Sequence, residues 1–297
     1  MLIPYILLVA SSLCLSVMAM MRKVYQENVG AKIEGTLWFS AISSFIAFGI
    51  GYFISGGFEF ELLVSLLALG YAFCCTSTAI LLIVGTKFGS VSKTIMYATM
   101  GSLVLPAVFG LAFDPEDRLS LEKAFGFLFA ILTFFAGTPQ RGNESGEKKG
   151  TWINITVFFT NGLALVVFKT KALLRPEFSQ SAFVSEYMLI AATASLILFV
   201  CLALRGKNGT GFVEVRKLFG KKALWPIITY AVLFFLADYL AINCTSLIPL
   251  TVQAPLSFCL TIMGTAILEF VIYKQNFNKR DYVQMVFALL CSVCFVL

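Results

Sequence analysis

The chain has 297 residues, of which 59% are hydrophobic and 13% charged, with no histidine and a mean hydropathy of +0.89. Soluble domains are about 45–50% apolar and about 25% charged, so this composition excludes a soluble globular domain and indicates an integral membrane protein. The formal net charge of +6 comes from basic residues gathered between apolar runs, and no Lys/Arg stripe interleaved with aromatics suggests a nucleic-acid partner.

Ten apolar runs follow one another, at about 2–21, 35–54, 62–84, 91–113, 123–139, 152–171, 182–204, 224–243, 249–273 and 281–297. Each approaches the roughly 20 residues that cross about 30 Å of hydrocarbon as a helix. The runs are continuous rather than alternating, so a β-barrel is excluded and the expected fold is all-α, with ten transmembrane helices. The first run lacks a basic leading region, is too long for the apolar core of a signal peptide and is followed by Arg22 and Lys23, so it reads as a membrane helix. No soluble domain is expected on either side of the membrane part.

The one linker-like stretch is QRGNESGEKKGT, starting at 140 and rich in Gly and charge. It divides the chain into an N-terminal five-helix repeat, 1–140, a linker, 141–151, and a C-terminal five-helix repeat, 152–297. Sliding the chain by 159 residues lays spans three to five on spans eight to ten without a gap: Tyr71-Ala72 falls on Tyr230-Ala231, Ile83 on Ile242, Thr86 on Thr245, Ala107 on Ala266 and Glu122 on Asp281. An odd number of spans per half makes the two repeats inverted, an arrangement used for alternating access around a central site. Lys and Arg number 17 on the side of the odd-numbered loops and 5 on the side of the termini, which places both termini outside.

The eighth span, FFLADYLAIN at its end, carries Asp238 among apolar residues. An acid at the centre of a span costs about 2.5–3.5 kcal/mol on insertion scales, so it marks either a substrate or proton site or an acid bonded to a neighbouring helix. Span nine places Gln253, Ser257, Thr261, Thr265 and Glu269 four apart in a slanted polar track, and span four answers with Thr94, Ala98, Ser102, Pro106 and Gly110. Such tracks suit either close helix packing or the lining of a path. Pro106 and Pro255 each free a backbone carbonyl in the preceding turn. In span six, Asn154 and Asn161 share a face with Phe158, and Asn161 is a candidate to orient a polar ligand or to join helices. Lys93, Lys169 and Glu186 stand near span ends, where snorkelling accounts for the lysines. Among the 30 phenylalanines, Phe234 and Phe258 are candidates to wall an apolar pocket.

Cys291 and Cys294 have a metal-like spacing but lie inside the last apolar run of a chain without histidine, and Cys74 and Cys75 lie inside span three; both pairs read as small packing residues. No HExxH, GxSxG or P-loop occurs, so no enzyme, metal or cofactor is expected.

Ten short spans, YAVLFFLADYLAIN, IPLTVQAPLSFCLTIMGTAILEF and NKRDYVQMVFALLCS, with a fainter copy in GYAFCCTSTAILL and SVSKTIMYATMGSLVLPAVFG, resemble the drug/metabolite transporter superfamily, nearest its ten-span EamA-like branch. The resemblance implies a secondary transporter with a central cavity between the halves. Glu269 matches the family pattern at the end of span nine; Gly110 stands at the corresponding position of span four, and ASSLCLSVMAM lacks the family's Trp-Gly pattern. The function expected is secondary active transport of a small amphiphilic or zwitterionic metabolite by alternating access, with Asp238, Asn161, Gln253, Ser257, Phe234 and Phe258 at the substrate and Asp238 and Glu269 as carriers of a coupled proton. The rival readings are a flippase or a sugar or nucleotide-sugar carrier and, from another class, a non-transporting receptor or scaffold whose polar tracks are buried in helix contacts. The partners expected are a small molecule and membrane lipid, with a homodimer compatible with the sequence. The location expected is the plasma (inner) membrane, multi-pass.

Overall fold

The computed structural model describes residues 3–30, 33–55, 57, 60–85, 88, 91–113, 120–137, 145–175, 177–205, 218–245, 250–274 and 277–296, and the helices below are drawn from these. They are α1 (Ile3–Val29), α2 (Ile33–Ser55), α3 (Leu62–Gly85), α4 (Val91–Phe113), α5 (Leu121–Gly137), α6 (Ser145–Leu174), α7 (Gln180–Arg205), α8 (Lys221–Thr245), α9 (Leu250–Tyr273) and α10 (Lys279–Val296). No strand occurs among the described residues. Seven of these helices, α1–α4, α6, α7 and α9, contain segments long and apolar enough to cross a membrane. Large side chains such as Phe53, Phe73, Leu66 and Ile197 stand exposed on the outside of the bundle. A soluble monomer rarely shows so much apolar surface, and the chain is consistent with an all-α, multi-pass integral membrane protein.

The helix ends follow local chemistry. Ser120 and Ser179 stand just before α5 and α7, and their hydroxyls accept the amides of Lys123 at 3.2 Å and Ala182 at 3.5 Å. At the start of α10 the amide of Asn278 donates to the carboxylate of Asp281 at 3.0 Å, one half of a capping box. Helix α1 continues well past the apolar run 2–21 and stops at Gly30, whose φ of +94° and amide bond to the Gln26 carbonyl at 2.7 Å make a left-handed cap. Two boundaries therefore differ from the sequence reading. Arg22 and Lys23 belong to α1 and not to a loop, and α6 begins at Ser145, inside the stretch read as the linker 141–151. Helices outrun hydropathy here because polar residues that find partners on neighbouring helices extend them readily. Neither Pro106 nor Pro255 interrupts its helix.

Helix packing is long-range. α1 packs on α8 and α9, α2 on α7 and α8, α3 on α6 and α7, α4 on α6 and α9, and α5 on α10. The tightest crossing joins α4 to α6: a Cβ built on Gly101 would stand 2.0 Å from the carbonyl oxygen of Phe158, and one on Gly162 would stand 2.4 Å from that of Gly101. Only glycine permits this approach of two backbones. Helix α1 meets α9 through hydroxyls, Ser12 Oγ lying 3.2 Å from Ser257 Oγ and Ser16 Oγ donating to the Thr261 carbonyl at 3.2 Å.

At one end of the bundle Arg175, after α6, pairs with Glu61, before α3. Their side chains are 39% and 36% exposed, which limits the worth of the pair to about 1 kcal/mol. Arg175→Ala is expected to leave the melting temperature within a degree or so of the parent, measured by thermal unfolding in detergent; a large drop would show that this pair closes the bundle.

Candidate functional site: a central cavity

A cavity of about 440 Å³ lies within the bundle, lined by α1–α4 and α6–α9; among the described residues α5 and α10 contribute nothing to it. Its apolar wall includes Leu15, Met18, Leu82, Leu165 and Met188, and its polar wall is dominated by hydroxyls such as Ser40, Ser43, Thr78, Thr99 and Ser102. This mixture of apolar surface with a few placed polar groups, and this size, suit a small organic molecule.

The lining positions recur between the halves. Tyr71, Cys75 and Thr78 of α3 line the cavity, and so do Tyr230, Phe234 and Ala237 of α8; Ala98, Thr99 and Ser102 of α4 are matched by Ser257, Phe258 and Thr261 of α9. Every one of these pairs has the spacing that superposes Tyr71-Ala72 on Tyr230-Ala231. Each of the two tyrosines also makes an aromatic pair: Tyr71 meets Tyr187 with ring centroids 4.5 Å apart, and Tyr230 meets Phe39 at 4.9 Å.

Many lining hydroxyls spend their proton elsewhere. Ser11 donates to the Ala237 carbonyl at 3.0 Å, Thr99 to Met96 at 3.0 Å, Ser102 to Thr99 at 2.7 Å and Thr261 to Ser257 at 2.8 Å, while Thr78 donates to the Thr160 hydroxyl at 2.8 Å. What remains for a ligand is oxygen lone pairs, so this part of the wall accepts hydrogen bonds.

Arg22 is the one charged residue among the described lining residues. Its guanidinium donates through Nη2 to the Tyr230 hydroxyl and lies 4.9 Å from the centre of the Tyr230 ring. Its Nε is buried and has no hydrogen-bond partner among the described residues. A buried donor left unsatisfied costs about 1–3 kcal/mol. The Tyr71–Tyr187 pair has no corresponding cation among the described lining residues.

Of the residues expected at the substrate, Asn161, Ser257, Phe234 and Phe258 share the cavity wall. Asn161 also donates to the Ala98 carbonyl at 2.7 Å, so it joins α6 to α4 as well as lining the space. Asp238 falls within α8 and Gln253 within α9, but their side chains lie outside the described residues. Glu269 does not line the cavity. Its side chain is fully buried, pairs with Lys23 at 3.3 Å and accepts the amide of Val91, the first residue of α4, at 2.8 Å. Lys23 in turn lies 3.8 Å from the centre of the Tyr273 ring. The polar track of span nine thus divides: Ser257 and Thr261 face the cavity, while Thr265 is buried with its hydroxyl on the Thr261 carbonyl and Glu269 joins helices.

Sequence reasoning missed Arg22, which it counted with the loop cations, and treated Glu186 as a span-end residue. Glu186 is 4% exposed, with its carboxylate beside the Ser65 hydroxyl of α3. The signal for Arg22 was its place one residue past an apolar run and eight residues before the glycine that ends the helix, which puts it inside the helix.

No family model matches the chain, and no curated protein matches it. Among solved structures, a crystal structure of a protein 12% identical to this one aligns over 98% of this chain and 96% of its own, with a TM-score of 0.60. Likeness at that identity extends to the fold over the whole length and stops there.

Proposed function

We propose that the chain is a secondary active transporter of a small amphiphilic or zwitterionic metabolite, working by alternating access, and that it belongs with the EamA-like drug/metabolite transporters. The observation that carries this reading is the position-by-position recurrence of the cavity wall in α3–α4 and α8–α9. Two inverted halves that line one cavity with equivalent residues have two related packings, one open to each side of the membrane, and that bistability is what alternating access requires. Helix packing agrees with it: exchanging each of α1–α5 with its counterpart in α6–α10 maps the pairs α1·α8 and α3·α6, α1·α9 and α4·α6, and α2·α8 and α3·α7 onto one another and leaves α2·α7, α4·α9 and α5·α10 unchanged. These relations support ten spans in two inverted repeats. Ser257 and Thr261 line the cavity as well as joining α9 to α1. No charged nucleotide-binding motif is present to power transport, so a gradient of ion or solute drives it, with Asp238 as the proton carrier of this reading.

Cys75 is the one cysteine among the described lining residues and reports on access. In a variant whose other cysteines are serine, a membrane-impermeant thiol reagent is expected to modify Cys75 from either side of sealed vesicles. Modification from one side only, under every ion and pH gradient applied, would sink alternating access; protection from both sides would indicate a closed bundle.

A further inference from the structure

We propose that the transported solute carries a carboxylate, held at Arg22, and that Arg22 sets the charge selectivity of the cavity. This rests on the transport reading for its purpose but on the cavity alone for its geometry. Arg22 brings a permanent positive charge to the wall, and no described lining residue carries a negative one. Its planar fork suits a carboxylate, the side chain lines the cavity, and one of its donors, Nε, has no partner among the described residues. The group is held ready for a ligand by two contacts with a single residue: the bond from Nη2 to the Tyr230 hydroxyl and the approach to the Tyr230 ring at 4.9 Å. Tyr230 is itself packed between Phe39, 4.9 Å away, and Phe234, 6.2 Å away and nearly parallel. The guanidinium is therefore positioned before any solute arrives, which lowers the ordering cost of binding.

The rest of the wall specifies the other groups of the solute. Hydroxyls of Thr99, Ser102 and Thr261 give their protons to backbone carbonyls and present lone pairs, so they complement an N–H or O–H donor. The apolar part of the same wall includes Leu15, Met18 and Phe234. A carboxylate at Arg22, an apolar body and an N–H or O–H donor for the hydroxyls describe an amino-acid-like or hydroxy-acid-like solute. A bare amine would meet the Arg22 charge with none of its own to answer it.

The test is thermal unfolding of the purified full chain with butyrate, phenylacetate and phenylalanine, each beside the matching amine, butylamine or phenethylamine, at equal ionic strength. The parent is expected to be stabilised by the carboxylates and unmoved by the amines. Arg22→Gln should weaken the apparent affinity for the carboxylates about tenfold or more, as loss of a charged hydrogen bond does. Arg22→Lys should retain part of it, and Tyr230→Phe should reduce it by freeing the guanidinium. The two milder variants carry the test where Arg22→Gln folds poorly. The proposal is overturned if the amines stabilise as well as the acids, if the acids stabilise Arg22→Gln as they do the parent, or if no carboxylate moves the parent. Loss of carboxylate selectivity together with two-sided labelling of Cys75 would leave transport standing for a solute of another charge. Carboxylate selectivity with one-sided labelling would leave the Arg22 site in a protein that does not alternate.

Discussion

Gly101→Ala is expected to be among the most destabilising single-methyl changes in this protein. The added Cβ would stand 2.0 Å from the carbonyl oxygen of Phe158 and 2.7 Å from its carbonyl carbon, distances that no rotamer can relieve because both partners are backbone. Helix α4 must then move off α6. That motion breaks the Asn161 to Ala98 bond and shifts Thr99 and Ser102 on the cavity wall. Overpacking of flexible side chains costs about 1–3 kcal/mol, and a clash of backbone with backbone belongs at or above the top of that range. The measurement is the melting temperature in detergent beside Gly70→Ala, where a Cβ meets nothing within 4 Å. At Gly70 the better helix propensity of alanine predicts no loss and a gain of up to about 1 kcal/mol. Equal stability of the two variants would show that α4 and α6 do not cross at these glycines.

Glu269→Ala carries the second large effect. It would leave the ammonium of Lys23, whose side chain is 14% exposed, without its 3.3 Å partner, and the amide that opens α4 without its 2.8 Å acceptor. Removing one member of a buried pair strands the other, at about 3–5 kcal/mol. The variant Glu269→Gln retains an oxygen for the Val91 amide but not the charge, and should fall between alanine and the parent. Replacing Lys23 and Glu269 together by methionine should cost much less than the two single changes added, because no stranded charge remains. A loss below about 1 kcal/mol for Glu269→Ala, measured by chemical or thermal unfolding, would remove the pair as the fastening of α1, α4 and α9. The residue was expected to carry a coupled proton; in the structure it stands outside the cavity wall and is bonded to Lys23 of α1 and to the first amide of α4.

Composition and the length of the apolar runs are enough to establish an all-helical membrane chain. Hydrocarbon leaves the backbone few alternatives, and each span is a local property of about 20 residues. The sequence spacing that lays Tyr71 on Tyr230 also lays Ala98 on Ser257 and Thr99 on Phe258, and all six line the cavity. Asn161 and Phe234 were legible as members of that wall because they occupy faces of otherwise oily helices. The surroundings of Arg22, Gly101 and Glu269 were decided by tertiary structure alone. A cation just past an apolar run has the same hydropathy whether it ends in a loop or reaches into a cavity, and what separates the two is Tyr230, which lies on another helix 208 residues away. A glycine within a span reads as a helix weakness until a second backbone is found against it. A glutamate within a span does not reveal that a lysine and a helix amide hold it. In each case the deciding partner comes from a distant part of the chain, and only the folded bundle brings it within bonding distance.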